Sequence, residues 1–225
     1  MKHLPKVKIC GMKCAEDIKM AVNCGADAVG FITEVPVDSS RKIDVRTAAG
    51  LVNKVPLFVD SVLVIMPSDG CEALRLIEKA EPDVVQLHND IDVEDMGLIR
   101  DNTSKSIIKT FTIPLGTSVI AKEMISQMDK LVENDLVDGI LLDTGKAGMS
   151  GGTGLTHNWS LSRDIIESMD MPVILAGGLN PENVRSAVEK VRPFGVDTAS
   201  GVETGGKKDP AKVCRFVREA RCING

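Results

Sequence analysis

The sequence predicts a single (β/α)8 barrel over residues 1–225, and three observations carry that expectation. Short apolar strands alternate with amphipathic helices eight times along 225 residues, at roughly 25–30 residues per unit, the length of a βα module. The turns after the last two strands are rich in glycine (Gly177, Gly178, Gly201), and such barrels often hold phosphate there. No linker, low-complexity tract or second-domain signal interrupts the pattern. An open doubly wound sheet is the alternative for alternating units, but eight strands rather than five or six favour closure.

The elements follow in order. The first strand is Lys6 to Cys10, and the first helix runs over about 14–24, with Ile18, Ala21 and Val22 on one face and Gly25 ending it. The second strand is Ala28 to Ile32. Asp44 caps a helix from Val45 to Asn53. The third strand is read from Leu57 to Ile65, and its helix follows Pro67-Ser68-Asp69 to about Ala80. The fourth unit is a strand from Val84 to His88 and a helix over about 92–101. A fifth strand (about 106–112) and helix (about 117–132) lead to a sixth strand over 138–143, with its helix at about 158–168. The seventh strand is Pro172 to Ala176, and its helix begins at Asn180-Pro181, an N-cap followed by Pro. The eighth strand is Gly195 to Thr198, with a helix over about 209–221.

Composition narrows the function. Hydrophobic residues make up 43% and charged residues 26%, ordinary values for a soluble globular chain. A net charge of -5 without a basic stripe argues against nucleic-acid binding. No apolar run approaches the roughly 18 residues of a membrane span, and the first residues lack the apolar centre of a signal peptide. A cytoplasmic location is expected. The six cysteines, at 10, 14, 24, 71, 214 and 222, form no CxxC and are expected to be reduced thiols. Cys10 and Cys14 lack a second close pair of ligands, so neither a metal site nor any cofactor is expected.

Alternate strand residues face the same side. Lys8 therefore shares a face with Cys10, Gln86 with His88, and Leu141 with Asp143. In a barrel, polar residues at the C-terminal strand ends open into the mouth. Cys10 reads either as a buried structural thiol or as a base. A base needs more thiolate than the roughly 3% that an ordinary pKa near 8.5 gives at pH 7. Lys8 and the start of the first helix are possible sources of positive potential. Asp143 reads either as a cap of the glycine-rich turn after it or as a partly desolvated acid able to donate a proton. Gly177-Gly178-Leu-Asn-Pro and Asp197-Thr-Ala-Ser200-Gly201 offer backbone N–H groups and hydroxyls to an anion. The run from Gly145 to Gly154 suits a flexible lid. Arg41 suits a carboxylate clamp or a solvated surface. Trp159 is expected to pack its helix, and His3 and His157 carry no argument.

Several stretches, taken together, give the chain a family resemblance. They are Val7-Lys-Ile-Cys-Gly11, Gly30-Phe31, Ser40-Arg41, Val84-Val-Gln-Leu-His88, Leu141-Leu-Asp-Thr144, Gly151-Gly-Thr-Gly154, Leu175-Ala-Gly-Gly-Leu-Asn-Pro181 and Gly195-Val-Asp-Thr-Ala-Ser-Gly-Val-Glu203. In this order, nearly end to end, the chain resembles phosphoribosylanthranilate isomerase, a barrel enzyme of tryptophan biosynthesis. The resemblance implies Cys10 as general base, Asp143 as general acid, Arg41 on the anthranilate carboxylate and His88 in the active site. It implies that Gly177, Gly178, Ser200 and Gly201 hold phosphate, with Asp197 in the same substrate-binding segment. The implied reaction is an Amadori rearrangement of a phosphorylated small-molecule substrate, without metal or cofactor, in a monomer or homodimer.

Three positions depart from the family's pattern. Asn89 replaces the glycine after the histidine and is expected to tolerate a positive φ. Ser40 replaces a proline, which suggests a looser loop. Asn158 replaces the usual aspartate at the sixth helix start and remains a good cap. Among rivals, a Schiff-base aldolase needs a lysine where Asp143 stands, and an epimerase needs a metal or paired carboxylates at the mouth. An idle barrel that only binds a phosphorylated ligand has no use for both Cys10 and Asp143.

Overall fold

The computed structural model describes residues 4–114, 121–145 and 159–222. Its parallel strands are β1 (Lys6–Cys10), β2 (Ala28–Thr33), β3 (Asp60–Ile65), β4 (Val84–Leu87), β5 (Ser106–Pro114), β6 (Gly139–Gly145), β7 (Val173–Leu175) and β8 (Gly195–Thr198). Each pairs with the next, and β8 returns to β1, so the barrel closes. The helices between them are α1 (Ala15–Asn23), α2 (Val45–Val52), α3 (Gly70–Ala80), α4 (Val93–Asn102), α5 (Ala121–Glu133), α6 (Trp159–Ser168), α7 (Val184–Val191) and α8 (Pro210–Arg221).

Strand parity divides the interior into two layers. Val7, Ile9, Val29, Phe31, Leu63, Ile65, Val85 and Leu87 point outward and pack under the helices in one continuous core. Residues of the opposite parity fill the barrel, where Cys10 packs against Val62 and Val64. Within that inner set Lys8 and Gln86 are buried polar side chains. The closed fold thus keeps its apolar core outside the strands and its polar groups inside them, toward the mouth.

Local chemistry sets the helix starts. Asp44, Asp69, Asp92 and Asp209 each cap a helix by accepting backbone N–H bonds, a contribution of about 1 kcal/mol apiece. Gly25, at φ +92°, carries the chain out of α1.

Several expectations are corrected. The third strand begins at Asp60, not Leu57; Leu57 and Phe58 are exposed in a turn, and Phe58 has φ +69°. An apolar pair that belongs to a turn was read as strand. The helix after β7 begins at Val184 rather than Asn180. The Asn180 carboxamide does accept from the N–H groups of Glu182 and Asn183, but it closes a turn that precedes the helix. A short strand at Lys42–Ile43 beside β2, and a small hairpin of Glu203–Thr204 with Lys207–Lys208, had no sequence expectation. The glycine-rich lid beyond Gly145, the start of the fifth helix, His3, His157 and Asn158 lie outside the described residues. No helix of the described residues is long and apolar enough to cross a membrane.

The expectation of reduced thiols fails at one pair. Cys24, at the end of α1, and Cys214, in α8, form a disulfide with a Cα–Cα distance of 4.6 Å. Their separation of 190 residues hides the pair in the sequence, whereas barrel closure sets α8 beside α1. The remaining free thiols are Cys10, Cys14, Cys71 and Cys222. Ellman titration of the denatured, unreduced chain is therefore expected to count four thiols; a count of all the cysteines as thiols would show that the bridge does not form.

Candidate active site

The mouth of the barrel holds an open pocket. Cys10 reaches it from β1, His88 from just beyond β4, Asp143 from β6 and Asp197 from β8. Arg41, Gly177, Gly178 and Ser200 complete its rim. Gly201 lies behind the lining and acts by letting two loops touch: a Cβ there would collide with the Leu179 carbonyl oxygen.

Cys10 is placed by a missing side chain. Its register partner on β2 is Gly30, where a Cβ would lie 2.7 Å from the Cys10 sulfur. The thiol is almost fully buried. Burial pushes its pKa above the ordinary thiol value, and the nearby Lys8 ammonium only partly opposes that rise. Lys8 is thus the neighbouring positive charge that the sequence suggested, but it does not win against desolvation.

Lys8 itself stays charged because it is partnered. Its Nζ lies 3.1 Å from Asp197 Oδ2 and donates to Gln86 Oε1 at 2.8 Å. Burial disfavours the ammonium, yet Asp197, Cys10 and Asp143 together raise its pKa. The other oxygen of Asp197, Oδ1, is buried with no protein partner among the described residues. Burial, reinforced by Asp197, raises the Asp143 carboxyl to about 6. Its neighbour His88 is held down at about 4 by burial and then by Lys8, so the imidazole is neutral near pH 7. His88 Nε2 stands 3.7 Å from Asp143 Oδ2.

Arg41 already holds one carboxylate, that of Glu203. Its Nε and Nη2 each donate at 2.8 Å to Glu203, one to each carboxylate oxygen. Lys208 donates to the same carboxylate at 2.8 Å and to the Ala199 carbonyl. Burial works to raise the Glu203 carboxyl, but these bonds outweigh it and hold the group at about 2. The Ser40 loop is tied rather than slack: Ser39 Oγ accepts from the Arg41 N–H, and Lys13 donates to the Ser40 carbonyl. Asn89 needs no positive φ; its carboxamide instead donates to the Pro67 carbonyl at 2.8 Å.

The two glycine-bearing loops are joined. Gly177 and Gly178 have φ of +83° and +67°, which glycine adopts at little cost. A Cβ on Gly177 would overlap Thr144, the residue after Asp143. Thr198 donates from its hydroxyl to the Leu179 carbonyl at 2.7 Å. The N–H groups of Gly177, Gly178 and Ser200 meet no acceptor among the described residues, the arrangement that an anion fills. Among the described residues no group of three or more His, Cys, Asp or Glu side chains is arranged to hold a metal ion. Trp159 packs against the core with Lys190 over its ring, away from the pocket.

The model of a family described as N-(5'-phosphoribosyl)anthranilate (PRA) isomerase matches residues 7–219. The chain belongs to the PRA isomerase family. A PRA isomerase of Methanosarcina acetivorans is 50% identical, covering 99% of this chain and 98% of its own. The solved PRA isomerase of Pyrococcus furiosus superposes with a TM-score of 0.81 at 29% identity, over 97% of this chain and 100% of that one. A further PRA isomerase structure, in complex with reduced 1-(o-carboxyphenylamino)-1-deoxyribulose 5-phosphate, gives 0.75 at 33%, again over 97% and 100%. The chain is accordingly an isomerase with a TIM-barrel fold.

Three groups in or beside the pocket carry no role that the sequence reveals. Gln86 lines the pocket, and the sequence places it only on a strand face with His88. Glu203 and Lys208 stand behind Arg41, and Lys208 lies on a hairpin that periodicity does not reveal. A carboxylate five residues from a lysine is the one signal for that pair.

The Gly30 contact gives a direct test. Gly30→Ala is expected to destabilise the fold by about 1–3 kcal/mol through overpacking and to lower activity by displacing the thiol. In the Cys10→Ala background, where the sulfur is gone, thermal melting is expected to show a much smaller loss. Equal losses in both backgrounds would mean that the sulfur does not set the fit.

Proposed function

We propose that this PRA isomerase of tryptophan biosynthesis converts N-(5'-phosphoribosyl)anthranilate to 1-(2-carboxyphenylamino)-1-deoxyribulose 5-phosphate with Asp143 as acid and Cys10 as base. One observation carries the reading. A buried carboxyl and a buried thiol enter one pocket from β6 and β1, well separated around the barrel, with anion-ready loops on its rim.

The neutral Asp143 carboxyl gives its proton to the furanose ring oxygen as the bond from that oxygen to C1' breaks. The anilino nitrogen supplies the electrons, leaving an iminium. The Cys10 thiolate then takes the proton from C2', and the electrons of that bond form the C1'–C2' double bond and neutralise the nitrogen. The resulting enolamine gains a proton at C1' and loses one from the 2'-hydroxyl, yielding the ketone. Asp143 ends as carboxylate and Cys10 as thiol, and proton exchange with solvent resets them. The unpartnered Asp197 Oδ1 suits a sugar hydroxyl. Gly177, Gly178 and Ser200, with Gly201 behind them, suit the 5'-phosphate. Glu203 takes Nε and Nη2 of Arg41, so the anthranilate carboxylate meets the remaining edge of the guanidinium.

Turnover tests the pair. Fluorescence loss from N-(5'-phosphoribosyl)anthranilate made in situ is expected for the wild type. Cys10→Ala and Asp143→Ala are each expected to fall by about 10²-fold or more. A folded wild type without turnover overturns the substrate, and an active variant overturns the role of that residue.

The pH profile follows from the two shifts. With Asp143 near 6 and Cys10 pushed above the ordinary thiol value, the reactive form (neutral acid, thiolate base) is a constant minor fraction of the singly protonated pair between the two titrations. Corrected for ionisation of the substrate phosphate, kcat/KM is expected to rise through about pH 6, stay level across the neutral range, and fall only once the thiol titrates in the alkaline range. A profile already falling across the neutral range would show that the thiol is not raised.

A further inference from the structure

We infer that Gln86 is a positioning residue that fixes His88 as the Nε2–H tautomer, so that His88 can donate to Asp143 but cannot accept the acid's proton. The functional half of this inference rests on the reading of Asp143 as the general acid.

The argument is one of hydrogen-bond polarity, followed atom by atom from β1 to β6. Lys8 Nζ is an ammonium, which has protons to give and no lone pair. The Gln86 atom 2.8 Å away must therefore be the acceptor, Oε1. That choice removes the usual ambiguity of a carboxamide, whose two ends look alike. The amide nitrogen Nε2 then faces Thr110 Oγ1 at 3.1 Å and His88 Nδ1, also at 3.1 Å. Nε2 has only protons to offer, so Nδ1 must be bare. A neutral imidazole bare at Nδ1 carries its proton at Nε2, the atom that faces Asp143 Oδ2 at 3.7 Å. An imidazolium would set two N–H groups against each other at Nδ1. Gln86 is buried, with 2% of its surface exposed, so water does not offer it a second orientation.

The consequence concerns where the acid's proton can go. Were His88 protonated at Nδ1, its bare Nε2 would accept an O–H···N bond from neutral Asp143 and hold the proton away from substrate. With Nε2 protonated, that bond cannot form, and the carboxyl proton is left to the pocket. Once the proton has been given up, the carboxylate faces the positive end of the Nε2–H dipole at 3.7 Å, which favours the ionised form. The chain from Lys8 through Gln86 and His88 therefore favours proton release at the start of the reaction and stabilises its anionic product.

The charges facing His88 and Asp143 from other strands are Lys8 on β1, Lys109 on β5 and Asp197 on β8. Gln86→Met keeps all of them. Nitrogen-15 NMR of the full chain at pH 7, with His88 assigned by its loss in His88→Gln, is expected to show Nδ1 bare and Nε2 protonated. In Gln86→Met, and in Lys8→Met where the amide is free to turn over, the Nδ1–H tautomer is expected to appear. Gln86→Met is also expected to lower kcat by about 10- to 100-fold through loss of alignment with little change in KM. The low-pH limb of its kcat/KM profile is expected to move upward, because an O–H···N bond to His88 stabilises neutral Asp143. Wild-type His88 protonated at Nδ1 or at both nitrogens overturns the inference, whatever the turnover. So does a folded Gln86→Met that keeps both the wild-type tautomer and kcat. The NMR of the wild type needs no substrate and no altered residue. A failure of the isomerase mechanism and a failure of this chain are thus separate results.

Discussion

The Lys8 ammonium in the barrel interior is the interaction on which the site depends. An unpaired charge there would be strongly disfavoured, and Lys8 is 5% exposed. It is retained because Asp197 on β8 and Gln86 on β4 converge on it at 3.1 and 2.8 Å. The three strands involved are fixed by register, with Lys8 opposite Asp197 across the β1–β8 seam where the barrel closes. Barrel closure therefore brings the ion pair together. Removing one partner would leave a buried charge without compensation, a larger penalty than the pair's own net contribution.

The same dryness that makes Lys8 need partners also acts on Asp143 and Cys10, the pair proposed above as acid and base. Desolvation is the leading cause of the raised Asp143 carboxyl and of the raised Cys10 thiol. The two outcomes differ in use. A raised carboxyl is a better proton donor near neutrality, whereas a raised thiol is a scarcer but stronger base. The one positive charge close to both, on Lys8, lowers each pKa without overcoming burial. The pocket thus holds a carboxyl and a thiol, both raised by burial, in one space. Three strand steps around the barrel separate β1 from β6 by way of β8 and β7.

What the sequence made legible was parity and punctuation. A period of two along β1, β4 and β6 is enough to put Cys10, His88 and Asp143 at one end of one cavity, because closure leaves only one inside. Asp44 and Asp69 announce their helices through a side chain acting two or three residues away. The features that escaped are those made by distant chain. Cys24 and Cys214 meet only because the first and last helices become neighbours. Arg41 presents a fork, and nothing near it in sequence says that Glu203 will fill that fork. Leu57-Phe58 mimics a strand start because apolar β-formers look alike in a turn. At Asn89, a small polar residue able to reach a positive φ takes an ordinary backbone and uses its carboxamide instead, a choice made by the nearby Pro67 carbonyl.

The glycines on the rim tie the loop after β7 to the strand that carries Asp143. Gly177 lies so close to Thr144 that no side chain fits between them, and the Thr144 hydroxyl donates to the Gly177 carbonyl at 3.4 Å. Thr144 follows Asp143 on the same strand. An anion seated on the Gly177–Gly178 N–H groups is therefore one residue of rigid backbone from the acid. Thr198 ties that loop to the end of β8, one residue beyond Asp197. The loops after β7 and β8 thus share walls with both carboxylates of the pocket. Binding energy gained at a phosphate can act on the placement of Asp143 without any moving part, because close packing transmits position where a loose loop would absorb it. Under the roles proposed above, a phosphate seated on that loop takes part in placing Asp143, and a truncated substrate loses kcat as well as affinity.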